Sequence, residues 1–168
     1  MDDITALILD DHHAFRTGFA RLDDAHDDPQ QLAALWAALS LHLEIHAEAE
    51  EQILYPHLLH QAGEEAEEET DDAIRDHNKI RDGIDAAREH QVGSPAWWKS
   101  VDETRRENSE HLTEEEDDVL PDFRRHASDE LRTALGAQWL RFYADHPSGV
   151  GLRFRNKDPE HYIAAHQE

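Results

Sequence analysis

Shifted by 65 residues, the chain aligns on itself without a gap, and this internal repeat constrains the fold more than any other feature. Asp11, His12, Arg16 and Gly18 fall on Asp76, His77, Arg81 and Gly83. His46, Glu50, Glu51 and Pro56 fall on His111, Glu115, Glu116 and Pro121. Apolar positions follow the same shift: Leu9 on Ile74, Phe15 on Ile80, Phe19 on Ile84, Leu54 on Val119 and Leu58 on Phe123. The chain therefore reads as two copies of one helical hairpin.

The helices are visible in the apolar spacing. Ile4, Ile8, Phe15, Phe19 and Leu22 recur at intervals of three, four and seven, the period of an amphipathic helix over Ile4 to Ala25. Asp28-Pro29 then has the form of an N-cap followed by proline at the first helical position. Leu32, Leu35, Leu39, Leu43, Ile53 and Leu54 carry a second helix to about His60, with Gly63 as its stop. A third helix is expected from Glu65 to Glu89, and Ser94-Pro95 starts a fourth from Ala96 to Arg125. Four long helices with short connections predict an all-α, up-down-up-down four-helix bundle over residues 1–126. A fifth helix is expected from Asp129 to Asp145, through Leu131, Leu135, Trp139 and Phe142, followed by a Gly- and charge-rich extended arm. Residues 127–168 are thus expected to form a second unit packing on the bundle.

Composition removes whole classes of function. With 39 acidic residues against 16 basic ones the net charge is -23, which repels phosphate backbones and anionic membranes, so neither a nucleic-acid nor a membrane partner is expected. The absence of Cys removes disulfides, thiolate zinc sites, Fe–S clusters and Cys nucleophiles. No apolar run approaches the ~20 residues of a membrane span, and the first residues carry no basic, apolar leader, so a cytoplasmic location is expected. No phosphate loop, dinucleotide fingerprint or Ser/His/Asp order supports nucleotide or hydrolase chemistry. The acidic run from Glu64 to Asp72 lacks EF-hand spacing and reads as a solvated helix start. Fourteen His without Cys point instead to a metal held by imidazole and carboxylate.

Fold alone explains repeated apolar positions but not repeated His and Glu. His12 shares a helical face with Ile8, Phe15 and Phe19, and His77 shares one with Ile80 and Ile84, so both imidazoles point into the bundle. Glu50 lies three and four residues before Ile53 and Leu54, which turns its carboxylate inward. A buried carboxylate needs a partner charge or a metal. His46 and Glu50 stand four residues apart, one turn along the same face, and His111 and Glu115 repeat that geometry. Four His and two Glu are too many for one metal and suit two, with the carboxylates able to bridge them. Imidazole with carboxylate suits Fe, Zn, Mn or Ni, and His-rich sites with open positions are typical of oxygen-active iron.

At these residues the sequence resembles the hemerythrin-like, HHE-type cation-binding proteins. The resemblance rests on Asp11-His12, on His46-Ala47-Glu48-Ala49-Glu50-Glu51 leading to Tyr55-Pro56, on Asp76-His77, and on His111-Leu112-Thr113-Glu114-Glu115-Glu116 leading to Leu120-Pro121. It covers about residues 3 to 126. It implies a four-helix bundle holding two iron ions, oxo- or hydroxo-bridged, that bind or react with O2, peroxide or NO. It further implies that His12, His46, Glu50, His77, His111 and Glu115 are the iron ligands, with Glu50 and Glu115 bridging. Oxygen-carrying members bring two His from the third helix, one turn apart. Here Ala73 and Arg81 flank His77 at those distances, which favours peroxide turnover, NO binding or sensing over simple oxygen carriage. A catalase-like peroxide detoxification and a non-catalytic iron- or oxygen-sensing or storage module both remain open.

His13 points about 100° away from His12 and is assigned to the surface or to a place behind the ligands, and His42, one turn before His46, to a hydrogen-bonding role or none in preference to that of the missing ligand. His26, His57, His60, His90, His126, His146, His161 and His166 have no matched partners and read as surface residues. The Trp97-Trp98 pair and Trp139 are expected in packing. Ferritin-like bundles need Glu-x-x-His, and no His here has Glu three residues before it. Tyr55 breaks the repeat, because its counterpart is Leu120. An ideal helix sets Tyr55 about 140° from Glu50, but a kink at Pro56 would swing its phenol towards the metals and make them inequivalent.

Overall fold

The computed structural model describes residues 2–61 and 64–167. Gly63, the expected stop of the second helix, lies outside them. Helix α1 (Ile4–Asp24) begins where the Asp3 carboxylate accepts the Thr5 backbone N–H at 2.8 Å. Helix α2 (Pro29–Ala49) begins where Asp28 accepts from the Gln30 and Gln31 N–H groups, ahead of Pro29. Each cap satisfies backbone donors that a helix start leaves without partners. A π-helical turn (Glu50–Leu54) continues α2 into α3 (Tyr55–Gln61). Helix α4 (Glu64–Arg88) follows, and Ser94 caps α5 (Pro95–Glu114) through the Trp97 N–H. A second π turn (Glu115–Val119) continues α5 into α6 (Leu120–His126). The chain is therefore the expected all-α bundle, with α2–α3 and α5–α6 each acting as one long, interrupted helix.

The repeat explains the two interruptions. Pro56 and Pro121 have no N–H to donate, and in an α-helix their rings would clash with the carbonyl four residues back. Both helices widen just before the proline, so that the Tyr55 N–H reaches the Glu50 carbonyl and the Leu120 N–H reaches that of Glu115. Bulges of this kind are frequent at functional sites. Here each begins on one of the repeated glutamates.

The repeat also fixes how closely the hairpins pack. A Cβ on Gly18 would lie 2.8 Å from Leu39 Cδ1, and one on Gly83 would lie 2.3 Å from Thr104 Oγ1. Both glycines let α1 approach α2 and α4 approach α5 at matched points. Two apolar clusters result. One gathers Phe15, Phe19, Trp36, Ile80, Ile84 and Trp97 at one end of the bundle. The other gathers Ile4, Ile8, Leu54, Ile74, Phe123 and Trp139 at the other end. His12 falls between Ile8 and Phe15, and His77 between Ile74 and Ile80, so both lie at the seam between the clusters.

Beyond the bundle, α7 (Asp129–Asp145) packs along α1, with Gly136 against the backbone of Asp2. A short 3₁₀ turn (Pro147–Gly149) leads into an extended stretch. The arm then ends in a helix that the sequence reading passed over: α8 (Pro159–His166), against α4. The Asp158 carboxylate caps it through the His161 N–H, and Pro159 takes its first position, the same signature that starts α2. Tyr162 is buried at 6% exposure and anchors it. Among the described residues, no helix is long and apolar enough to cross a membrane.

Candidate metal centre

All six repeated His and Glu side chains converge at mid-bundle, none more than 3% exposed. They form two sets. Ligand atoms from His12, His46, Glu50 and Glu115 lie within 4.8 Å of one another, as do those from Glu50, His77 and His111. Glu50 belongs to both sets. Its Oε1 lies 3.0 Å from His46 Nε2, and its Oε2 lies 3.1 Å from His77 Nε2 and 3.8 Å from His111 Nε2. Glu115 Oε2 lies 3.2 Å from His12 Nε2 and 3.6 Å from His111 Nε2. Donors at about 2.1 Å from one ion stand roughly 3 Å apart at right angles, so the spacing suits ligation.

Four of these atoms carry the test of fit. His12 Nε2, His46 Nε2, Glu50 Oε1 and Glu115 Oε2 are buried and have no hydrogen-bond partner, because the short contacts between them are misaligned for hydrogen bonding. Unpartnered buried nitrogen and carboxylate oxygen are costly, and a shared cation answers all four at once. Charge points the same way. Burial alone would lower the His46 pKa, but Glu50 and Asp11 outweigh it and push it up to about 10. The imidazoles around Glu50 hold that carboxylate well below its ordinary range against the opposing pull of burial. The pocket is built for positive charge.

The other ring nitrogens explain repeated residues that the sequence reading left without a role. His12 Nδ1 meets Glu116 Oε1 at 2.9 Å, and His77 Nδ1 meets Glu51 Oε1 at 2.8 Å. His46 Nδ1 meets Asp11 Oδ2 at 3.0 Å, and Asp76 Oδ2 stands 3.9 Å from His111 Nδ1. Arg16 holds Glu116 at 2.9 Å, and Arg81 holds Glu51 at 3.0 Å. Every pair obeys the 65-residue shift. A carboxylate on Nδ1 keeps the proton there and leaves the Nε2 lone pair for a metal. The signal was in the alignment, which matched these residues; what it lacked was which imidazole each would meet.

Arg81, one turn from His77, is thereby turned away from the centre onto Glu51. Ala73, one turn on the other side, lines a cavity of about 450 Å³ together with His111 and Glu115. Glu65, Glu68, Asp72, Glu114, Asp118 and Asp122 are on its walls, and Arg125 is the basic residue of its lining.

Tyr55 is fully buried, and its hydroxyl donates to Glu115 Oε1 at 2.6 Å while standing 3.5 Å from Glu50 Oε2. The expected 140° offset does not apply. The π turn spaces backbone bonds by five residues, which stacks Tyr55 over Glu50. His42 Nε2 donates to Asp11 Oδ1, 3.1 Å away, outside both ligand sets, and His13 is exposed. Trp97 is core, while Trp139 stacks edge-on against His46 with centroids 5.3 Å apart.

Compared with known families, residues 3–134 match the model of the Hemerythrin HHE cation binding domain. No match was found among curated proteins or among solved structures.

Proposed function

The chain belongs to the hemerythrin HHE cation-binding family, and from that premise we propose that it holds two iron ions and reacts with a small uncharged oxidant. His12, His46, Glu50 and Glu115 would hold one ion, and Glu50, His77 and His111 the other. When bound, such an iron pair supplies binding of, or electron transfer with, O2, peroxide or NO. The single observation that carries the reading is the pair of buried ligand sets that meet at Glu50, the first of them with four unpartnered ligand atoms.

The protein groups have separable tasks. Glu116, Asp11 and Glu51 hold the Nδ1 protons of His12, His46 and His77 and so aim their Nε2 lone pairs inward. The two apolar clusters exclude water from both ends. Tyr55 holds a proton on Glu115, beside both glutamates. Burial and the charges of Glu115 and Glu50 push its pKa well above the ordinary phenol value, so that proton stays available as a donor.

Access disfavours anions. The cavity beside Ala73 reaches His111 and Glu115 through walls of carboxylate, which attract cations, repel anions and admit neutral H2O2, O2 or NO. Peroxide turnover fits best, because a small Ala stands where oxygen carriers supply a further His, leaving room for a reactant. Elemental analysis with a near-ultraviolet and visible spectrum is the test. Two irons per chain and the near-ultraviolet bands of a bridged ferric pair are expected. One metal per chain, or zinc alone under every growth condition, would overturn the reading.

A further inference from the structure

The C-terminal segment lies beyond the matched domain, yet it reaches a carboxylate behind one histidine of each set. The Tyr143 hydroxyl on α7 donates to Asp11 Oδ2 at 2.8 Å, the same oxygen that meets His46 Nδ1. Lys157, in the extended stretch before α8, bonds Glu51 Oε2 and reaches Glu48 Oε1 at 2.6 Å. Glu51 in turn meets His77 Nδ1. The arm is fastened at that point. Asn78, next to His77, donates to the Lys157 carbonyl at 2.7 Å and accepts its N–H at 2.9 Å, and the Tyr162 hydroxyl on α8 bonds the Glu51 carbonyl.

The repeat supplies an internal control. Asp76 and Glu116 are the counterparts of Asp11 and Glu51, and they take cations from the bundle itself, Lys79 and Arg16. Among the described contacts, neither receives a bond from residues 135–168. The C-terminal segment therefore breaks a two-fold arrangement at two points, one behind His46 and one behind His77. Burial raises the Asp11 carboxyl pKa, but hydrogen bonds from His42 and His46 overcome it and hold the group low. Glu51 is similarly held at about 2, despite burial, by His77 and Arg81.

We infer that Tyr143 and Lys157 are positioning residues of the metal centre, through which the C-terminal segment sets the orientation of His46 and His77, one ligand of each metal. Tyr143 restrains the Asp11 oxygen against the His46 ring. Lys157 shares the Glu51 charge with Arg81 and restrains the oxygen opposite the one on His77. Removing either leaves the metal-binding atoms in place and loosens their aim, the usual consequence of losing an outer partner, at about 10–100-fold in metal affinity.

The inference rests on the two-metal reading above, and cobalt(II) titration of the metal-free full chain separates the two. Cobalt absorbs in the visible as a function of its ligand geometry, so affinity and coordination are read together without any activity. The wild-type chain is expected to take two cobalt ions; if it takes one or none, the two-metal reading fails. Tyr143→Phe and Lys157→Met are each expected to retain one tight ion and weaken the other by about 10–100-fold, with a shifted visible band. Lys157→Arg should restore the wild-type titration. If both variants bind two ions with unchanged affinity and spectrum, the segment only covers the bundle and the inference is overturned. Equal weakening of both ions with a lowered melting temperature of the metal-free chain would overturn it too, because that is the signature of general destabilisation.

Discussion

The Tyr55 hydroxyl crosses the bundle axis to donate a 2.6 Å hydrogen bond to Glu115 Oε1, sixty residues along the chain. The repeat supplies no equivalent, since Leu120 occupies the matching position and its side chain cannot donate. One glutamate is thus held by a phenol at one oxygen, while the other keeps both oxygens among imidazoles. Tyr55→Phe keeps the ring and leaves Glu115 Oε1 without its donor. The metal-free variant should be about 1–3 kcal/mol less stable by urea denaturation, the usual cost of orphaning a buried acceptor. The iron-loaded variant should show a shifted visible spectrum and slower peroxide consumption. An unchanged spectrum and rate would reduce Tyr55 to packing.

The same asymmetry separates the two glutamates by mutation. Glu50 stands in both ligand sets, whereas Glu115 stands in the set with His12 and His46. Glu50→Ala should lose both metals in elemental analysis. Glu115→Ala should lose one and hold the other more weakly, because its Oε2 also faces His111 at 3.6 Å. Identical metal content in the two variants would show that the glutamates serve alike.

How much of this was readable in the sequence depends on whether a feature repeats. Helix spans came through because their apolar periods are long and their caps, Asp28-Pro29 and Ser94-Pro95, are unambiguous. The six converging residues came through because no fold requirement repeats His and Glu in register. Glu51, Glu116, Asp11 and Asp76 were matched too, but spacing along one helix cannot say which facing imidazole a carboxylate will meet. Tyr143 and Lys157 lie outside the repeat and gave no signal. For Tyr55 an ideal helix gives the wrong direction, and Pro56 is the clue that its phenol turns inward, here through a π turn rather than a simple kink. Helix α8 was missed although Asp158-Pro159 announces it.

The acidic cavity should govern how fast metal arrives. Carboxylates such as Glu68 and Asp118 on its walls raise the local concentration of a divalent cation, an effect of about 10–1,000-fold on association rates that salt screens over roughly 8 Å at physiological ionic strength. Stopped-flow mixing of the metal-free chain with cobalt(II) should therefore give a rate that falls steeply with added salt. Glu68→Gln with Asp118→Asn should slow loading and flatten the salt dependence, with the final metal content unchanged. A wild-type rate indifferent to salt would show that metal arrives by another path.

Glu69, which also lines the cavity, gives it a pH dependence whose sign is fixed. Burial, then the neighbouring charges of Asp122, Glu65 and Asp118, raises its pKa from 4.5 to about 7. The folded chain thus binds this proton more tightly than the unfolded chain does. The resulting stability is fully present below pH 4.5 and is lost as pH rises through about 7, where the native state must carry the charge. Glu69→Gln keeps the side chain's shape and removes the titration. Urea midpoints of the metal-free protein should show the variant gaining on wild type from pH 5 upward, with most of the gain complete by about pH 7 and little added beyond. The same offset at both ends of that range would mean that Glu69 titrates no differently in the folded and unfolded chains.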